Sequence, residues 1–247
     1  MSQSSDKPET SLGHILVAED DVVAQMVVKK IIEQAGYTLD LASNGQEALS
    51  ALESSHYDLV LMDCLMPGMN GFEASLAIRN SDSPSINSKI PIIAMTGLTA
   101  EDDKQRCIEA GMFEVISKPF GPGELIPVIR HCMAKIDGVD ITADQPEAEL
   151  KQTWDDGFLD NVIDQYLAEV PRVIDELQQA IDEGDSTKLG QVAHRFRGAT
   201  DILNVSGLSA RSRALEQAAK AGETELAITH ASDLIEELHK LMRMLAD

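Results

Sequence analysis

The apolar run Leu59-Val60-Leu61-Met62 stops at a single acid, Asp63, and a loop rich in Pro and Gly, Cys64 to Gly71, follows at once. A strand that reads as an unbroken apolar run is buried on both faces, and such strands belong to parallel sheets covered by helices. An ionised carboxylate at the last position of that strand is costly unless something cationic meets it. In open parallel sheets the chemistry gathers just beyond the carboxyl ends of the strands. Asp63 is therefore placed where a site would be. Taken alone, it serves equally well as a cap for the next helix.

The flanking sequence supports the sheet. His14 to Ala18 is a short apolar run closed by Glu19-Asp20-Asp21. Val22 to Gln34 places Met26, Val27, Ile31 and Ala35 on one side of a helix that Gly36 stops. Leu39 to Ala42, Ile90 to Met95 and Glu114 to Ser117 read as further strands. Helices are expected over 46–52, 72–80, 100–110 and 125–136, with Pro127 one turn inside the last. Strands alternating with helices at this spacing predict an α/β doubly wound, five-stranded parallel sheet with right-handed crossovers.

After Ile136 the pattern changes. Residues 1–13 read as a disordered polar tail, 14–136 as the sheet domain, and 137–150, acidic and poor in apolar residues, as a linker. A flexible linker of that length spans roughly 20 Å. Residues 151–247 show no strand signal. Apolar residues recur at helical spacing over 158–170, 173–181, 187–203, 208–221 and 226–245, with short breaks at Pro171, Gly184, Gly207 and Gly222. Amphipathic helices joined by short loops predict an all-α antiparallel four-helix bundle.

Charge and cysteine usage exclude several functions. The formal net charge is −22 and neither half is basic, which argues against nucleic-acid binding and against anionic membranes. The three cysteines, Cys64, Cys107 and Cys132, have no metal-binding or disulfide spacing. No apolar run reaches the length of a membrane span, and no secretory signal pattern opens the chain. The expected location is the cytoplasm, with no membrane insertion.

Polar residues line up at the strand ends: Glu19-Asp20 after the first, Asp63 at the third, Thr96 at the fourth and Lys118 at the fifth. Carboxylates brought this close repel one another and call for a cation. Oxygen ligands without His or Cys favour Mg²⁺. Lys118 and Thr96 add a fixed positive charge and a hydroxyl, a set suited to a phosphoryl group on Asp63.

ILVAEDD, LVLMDCLMPGMNG, PIIAMTG and SKPF together resemble the response-regulator receiver family over about residues 14–136. The resemblance implies a flavodoxin-like fold. It also implies Asp63 as phosphoacceptor, Thr96 and Lys118 as catalytic and switch residues, and Mg²⁺ held by Glu19, Asp20, Asp63 and the backbone carbonyl of Leu65. Two positions depart from the family pattern. Val115 stands where Tyr or Phe is frequent, and Gly97 follows Thr96 where Ala is frequent. An aspartyl-phosphate phosphatase would want a second acid two residues after the nucleophile, and that position is Leu65.

In the second half, a helical projection puts Leu189, Val192, Phe196, Ala199 and Leu203 on a core stripe and His194 opposite it, on an open face. Gly190 and Gly198, four residues to either side, leave that face uncovered, and Arg197 one turn on is expected to hold a phosphoryl oxygen. His194-Arg195-Phe196-Arg197-Gly198 is similar to the His-x-Leu-Lys-Gly motif of the histidine phosphotransfer (HPt) family. That resemblance implies a phosphoryl-carrying imidazole on His194, supported by Arg197, Gly198 and Gly190. The combined expectation is a phosphorelay protein that needs no ATP-binding domain of its own. Its partners would be a sensor histidine kinase or other phosphohistidine donor, and other receiver domains. The alternative is a phosphate sink or scaffold in which one site is idle and the receiver state gates protein binding.

Overall fold

A computed structural model describes residues 11–97, 101–136, 156–203 and 205–246. They fall into two compact units. The predicted linker and tail residues 1–10 lie outside the described residues, as does Ala100, expected to begin the fourth helix. Ser11 to Gly13, predicted as tail, are described, and the Leu12 N–H donates to the Gly36 carbonyl at 3.0 Å.

The first unit alternates strand and helix. It runs β1 (His14–Ala18), α1 (Val22–Gln34), β2 (Thr38–Ala42), α2 (Gly45–Ser54), β3 (Leu59–Asp63), α3 (Gly71–Arg79), β4 (Ile92–Thr96), α4 (Glu101–Glu109), β5 (Glu114–Ser117) and α5 (Pro122–Ile136). The five strands are all parallel, in the order β2-β1-β3-β4-β5. β3 is central and every one of its residues is buried, as its unbroken apolar run requires. β2 lies at an edge, and its middle residues face solvent. Helix starts follow side-chain chemistry. Asn70 accepts from the Glu73 N–H while the Glu73 carboxylate accepts from the Asn70 N–H, a reciprocal cap for α3. Asn44 caps α2 by accepting from the Glu47 N–H.

Pro127 does lie inside α5, on its exposed side, where the carbonyl it leaves without a donor can be hydrated. Gly71 is fixed by space. A Cβ on it would lie 2.1 Å from the Asp63 carbonyl oxygen, a backbone atom that cannot rotate away. Gly71→Ala is therefore expected to lower the free energy of unfolding by at least about 3 kcal/mol in urea titrations of the chain. An unchanged midpoint and slope would show that the loop can step aside.

The second unit contains α6 (Asp156–Glu183), α7 (Ser186–Ile202), α8 (Ser206–Lys220) and α9 (Thr224–Ala246). Each helix packs on its successor and α6 also packs on α9, so the four close into a bundle. Tight reversals follow Gly184 and Gly222, both in the left-handed region with φ of 65° and 73°. Val170, Val173, Leu177, Leu189, Val192, Phe196, Leu215, Leu234 and Leu238 make the core. Tyr166 stacks on Phe196 with ring centroids 5.4 Å apart.

One expectation fails here. Pro171 does not break the chain, and α6 runs through it as one helix of 28 residues. Pro171 is exposed and its neighbours Val170 and Val173 are buried, so core packing on one face outweighs a lost hydrogen bond on the other. Among the described residues, no helix is long and apolar enough to cross a membrane.

Candidate functional site

Strand register brings the predicted acids together. Ala18 pairs with Met62, so Glu19 is level with Asp63. Asp63 pairs with Met95, which puts Thr96 one step beyond. Thr96 pairs with Ser117, which puts Lys118 one step further. All five predicted residues therefore stand at one edge of the sheet, at the carboxyl ends of the strands. Glu19, Asp63 and Thr96 are buried. One carboxylate oxygen from each of Glu19, Asp20 and Asp63 can lie within 4.8 Å of the others.

Lys118 Nζ donates to Asp63 Oδ2 at 2.6 Å and also to Glu19 Oε2. Burial works against the Lys118 charge, but Asp63 and Glu19 outweigh it and hold the ammonium above its ordinary range. The lysine is thus a permanent cation. Three carboxylates against one ammonium leave the cluster with an excess of negative charge. An oxygen-only donor set of this charge fits a hard divalent cation.

The loop after β3 is held by its own backbone. The Leu65 N–H donates to Asp63 Oδ1 at 3.0 Å, the Cys64 N–H to the Met95 carbonyl at 3.1 Å, and the Gly71 N–H to the Cys64 carbonyl at 3.2 Å. Gly71 packs so closely because it must clear the Asp63 carbonyl, which explains a glycine at the end of the loop. Pro67 sits exposed within that loop. Val115 is half-buried against the apolar cluster under β1, β3 and β4.

In the second unit the predicted residues come together, but not on an open face. His194 is only 8% exposed. α7 packs on α6, α8 and α9 rather than against a single core. His194 Nδ1 lies 3.1 Å from Glu216 Oε1, on α8. Arg197, expected to hold a phosphoryl oxygen, is buried and donates to two carboxylates. Its Nε donates to Glu216 Oε2 and its Nη1 to Asp201 Oδ2, both at 3.0 Å. Lys220 Nζ donates to Glu216 Oε1 at 2.7 Å. Arg195 is half-buried and ion-paired with Glu176.

The two glycines separate. A Cβ on Gly190 would lie 2.9 Å from the Ala219 Cβ, so Gly190 serves the close approach of α7 and α8. A Cβ on Gly198 would meet nothing within 4 Å, so that position leaves space.

Glu216 is the residue that sequence reasoning missed. Burial would raise its pKa. The hydrogen bond and charge from His194, then Lys220 and Arg197, instead hold its carboxyl well below the usual range. A carboxylate kept ionised can only accept, so the 3.1 Å contact favours the hydrogen on His194 Nδ1 over the longer, 3.5 Å approach of the Arg197 Nη2 donor to the same nitrogen. In the neutral imidazole this leaves the lone pair on Nε2.

Comparison with known proteins follows the same division. Residues 15–130 match the response regulator receiver domain family and residues 161–246 the Hpt domain family. Histidine kinase 5 of Arabidopsis thaliana is 39% identical over 148 residues, covering 51% of this chain and 16% of that protein. The sensor protein EvgS of Escherichia coli is 28% identical over 208 residues, covering 82% of this chain and 17% of its own length. Among solved structures, the receiver domain of a Pseudomonas aeruginosa sensor histidine kinase, with a magnesium ion in its active-site cleft, is 32% identical. It covers 49% of this chain and 98% of that one, with a TM-score of 0.46. The chain spans well under half the length of these curated relatives, and in others the match covers from 6% to 20% of the relative.

Proposed function

Residues 15–130 belong to the response regulator receiver family and residues 161–246 to the Hpt family, and from this phosphorelay composition we propose that Asp63 and His194 each carry a phosphoryl group. The observation that carries the reading for Asp63 is its ion pair with Lys118 beside Glu19 and Asp20. An Asp63 carboxylate oxygen attacks the phosphorus of a phosphohistidine. The P–N bond breaks, and the donor imidazole keeps the electron pair and takes up a proton. Lys118 would offset the negative charge gathering on the phosphoryl oxygens, and the Thr96 hydroxyl, at the next strand end, would donate to one of them. Glu19, Asp20 and Asp63, with the Leu65 carbonyl, would hold Mg²⁺, which when bound supplies the positive charge the cluster lacks.

On His194 the Nε2 lone pair is the nucleophile that Glu216 leaves available. Glu216 accepts the Nδ1–H and offsets the positive charge that develops on the ring as the nitrogen bonds to phosphorus. Arg197, held between Glu216 and Asp201, keeps that carboxylate in place rather than reaching outward. The partners are a phosphohistidine donor for Asp63 and a receiver domain for His194, and the cytoplasm is the compartment that suits such exchange.

The test is uptake of labelled phosphoryl from a phosphorylated histidine-kinase donor, with Mg²⁺ and with chelator. The expected label on Asp63 is stable in acid and labile in base, and chelator lowers its rate at least about tenfold. Equal uptake in chelator would remove the cation from the account. No uptake from any competent donor would overturn the reading of Asp63.

A further inference from the structure

One pair of thiols has no part in phosphoryl transfer. Cys64, the residue after Asp63, and Cys107, on α4, are thiols in no disulfide, both almost wholly buried, and their sulfurs lie 3.7 Å apart. They are 43 residues apart in the chain, so the fold alone makes this contact. The Cys64 sulfur is also within hydrogen-bonding reach of the Thr96 side chain. One sulfur therefore touches both α4 and the hydroxyl at the end of β4. The Cys64 backbone is fixed at both ends, its N–H on Met95 and its carbonyl on Gly71. A bond to Cys64 would accordingly act on a rigid point next to Asp63.

We propose that Cys64 and Cys107 form a modification site, at which a small peroxide joins them in a disulfide that ties α4 to the end of β3 and slows phosphoryl acceptance at Asp63. Only the last clause rests on reading Asp63 as a phosphoacceptor. A disulfide needs its sulfurs about 2.05 Å apart, and here they start in contact at 3.7 Å. The chemistry balances with one peroxide. A thiol sulfur attacks the O–O bond, giving a sulfenic acid and water. The second sulfur then displaces the hydroxyl as water, its own thiol proton leaving with it.

Two electrons pass from the sulfurs to the peroxide oxygens. Burial on both sides selects a small uncharged oxidant such as hydrogen peroxide over a bulky disulfide such as oxidised glutathione. In the product the Cys64 sulfur has no S–H and is drawn toward α4, away from Thr96. The hydroxyl beside Asp63 then loses a partner that orients it.

The experiment treats the full reduced chain with hydrogen peroxide, alkylates it under denaturing conditions and maps the peptides. A peptide pair linked through Cys64 and Cys107, lighter by two hydrogens and separated by dithiothreitol, is the expected product. Uptake of label on Asp63 from a phosphohistidine donor should fall at least about fivefold on oxidation and return on reduction. Cys107→Ala should take up label equally with and without peroxide. Absence of the linked pair, in a sample whose exposed Met244 has gone to sulfoxide, overturns the site. A linked pair with unchanged uptake overturns its effect on Asp63. If the reduced chain takes no label at all, the phosphoacceptor reading fails, while the mapped link still reports on the cysteines.

Discussion

Asp63→Asn is expected to lose phosphoryl uptake on the first unit by at least about a thousandfold while the chain stays folded. The amide keeps the shape of the side chain and an oxygen to accept from the Leu65 N–H. It removes the anionic oxygen that must attack phosphorus. Lys118 loses one of its two carboxylate partners but keeps Glu19, so no buried cation is stranded. The repulsion among Glu19, Asp20 and Asp63 also falls when one of them becomes neutral. The check is label uptake from a phosphohistidine donor alongside far-ultraviolet circular dichroism. Persistent acid-stable, base-labile label on a folded Asp63→Asn chain would move the acceptor to Glu19 or Asp20, the other carboxylates of the cluster.

The second large effect lies in the helical bundle. His194→Gln should lose the acid-labile label by at least about a thousandfold, again without unfolding. Glutamine retains a donor that can reach Glu216, so the carboxylate keeps partners on α7 as well as Lys220. Glu216→Gln tests the neighbouring residue. It preserves volume but not charge, so transfer to or from His194 should slow by about tenfold. Nitrogen NMR should then show the Nδ1–H tautomer no longer favoured. A Glu216→Gln chain with unchanged transfer and unchanged tautomer would reduce Glu216 to a packing partner of Arg197. A scaffold with one idle site predicts that one of the two histidine and aspartate variants leaves signalling intact; loss in both excludes it.

The first unit was legible because its signals are local and repeated. Leu59 to Met62 is buried residue for residue, and β1 and β5 span the residues expected of them. Parallel register then aligns Glu19, Asp63, Thr96 and Lys118 without further information, since each sits at a strand end. The second unit was legible only as helices. A projection of α7 shows one core stripe but not how many helices cover it, and His194 was placed on an open face that α8 in fact occupies.

The signal for α8 lay in small residues. Gly190 on α7 and Ala219 on α8 allow the two helices to approach closely. Glu216 shares that stretch of α8, where it reads as one more surface acid until the contact is known. Pro171 misled for a related reason. A proline breaks a helix only when packing does not hold it, and Val170 and Val173 are both buried.

The measurement closest to the central claim is residue-level mapping of the label in the intact chain after incubation with a phosphorylated histidine-kinase donor and Mg²⁺. The prediction is two kinds of label in one chain, an acid-stable, base-labile acyl phosphate on Asp63 and an acid-labile phosphohistidine on His194. Label on neither residue, from a donor that phosphorylates another receiver in the same tube, would contradict it.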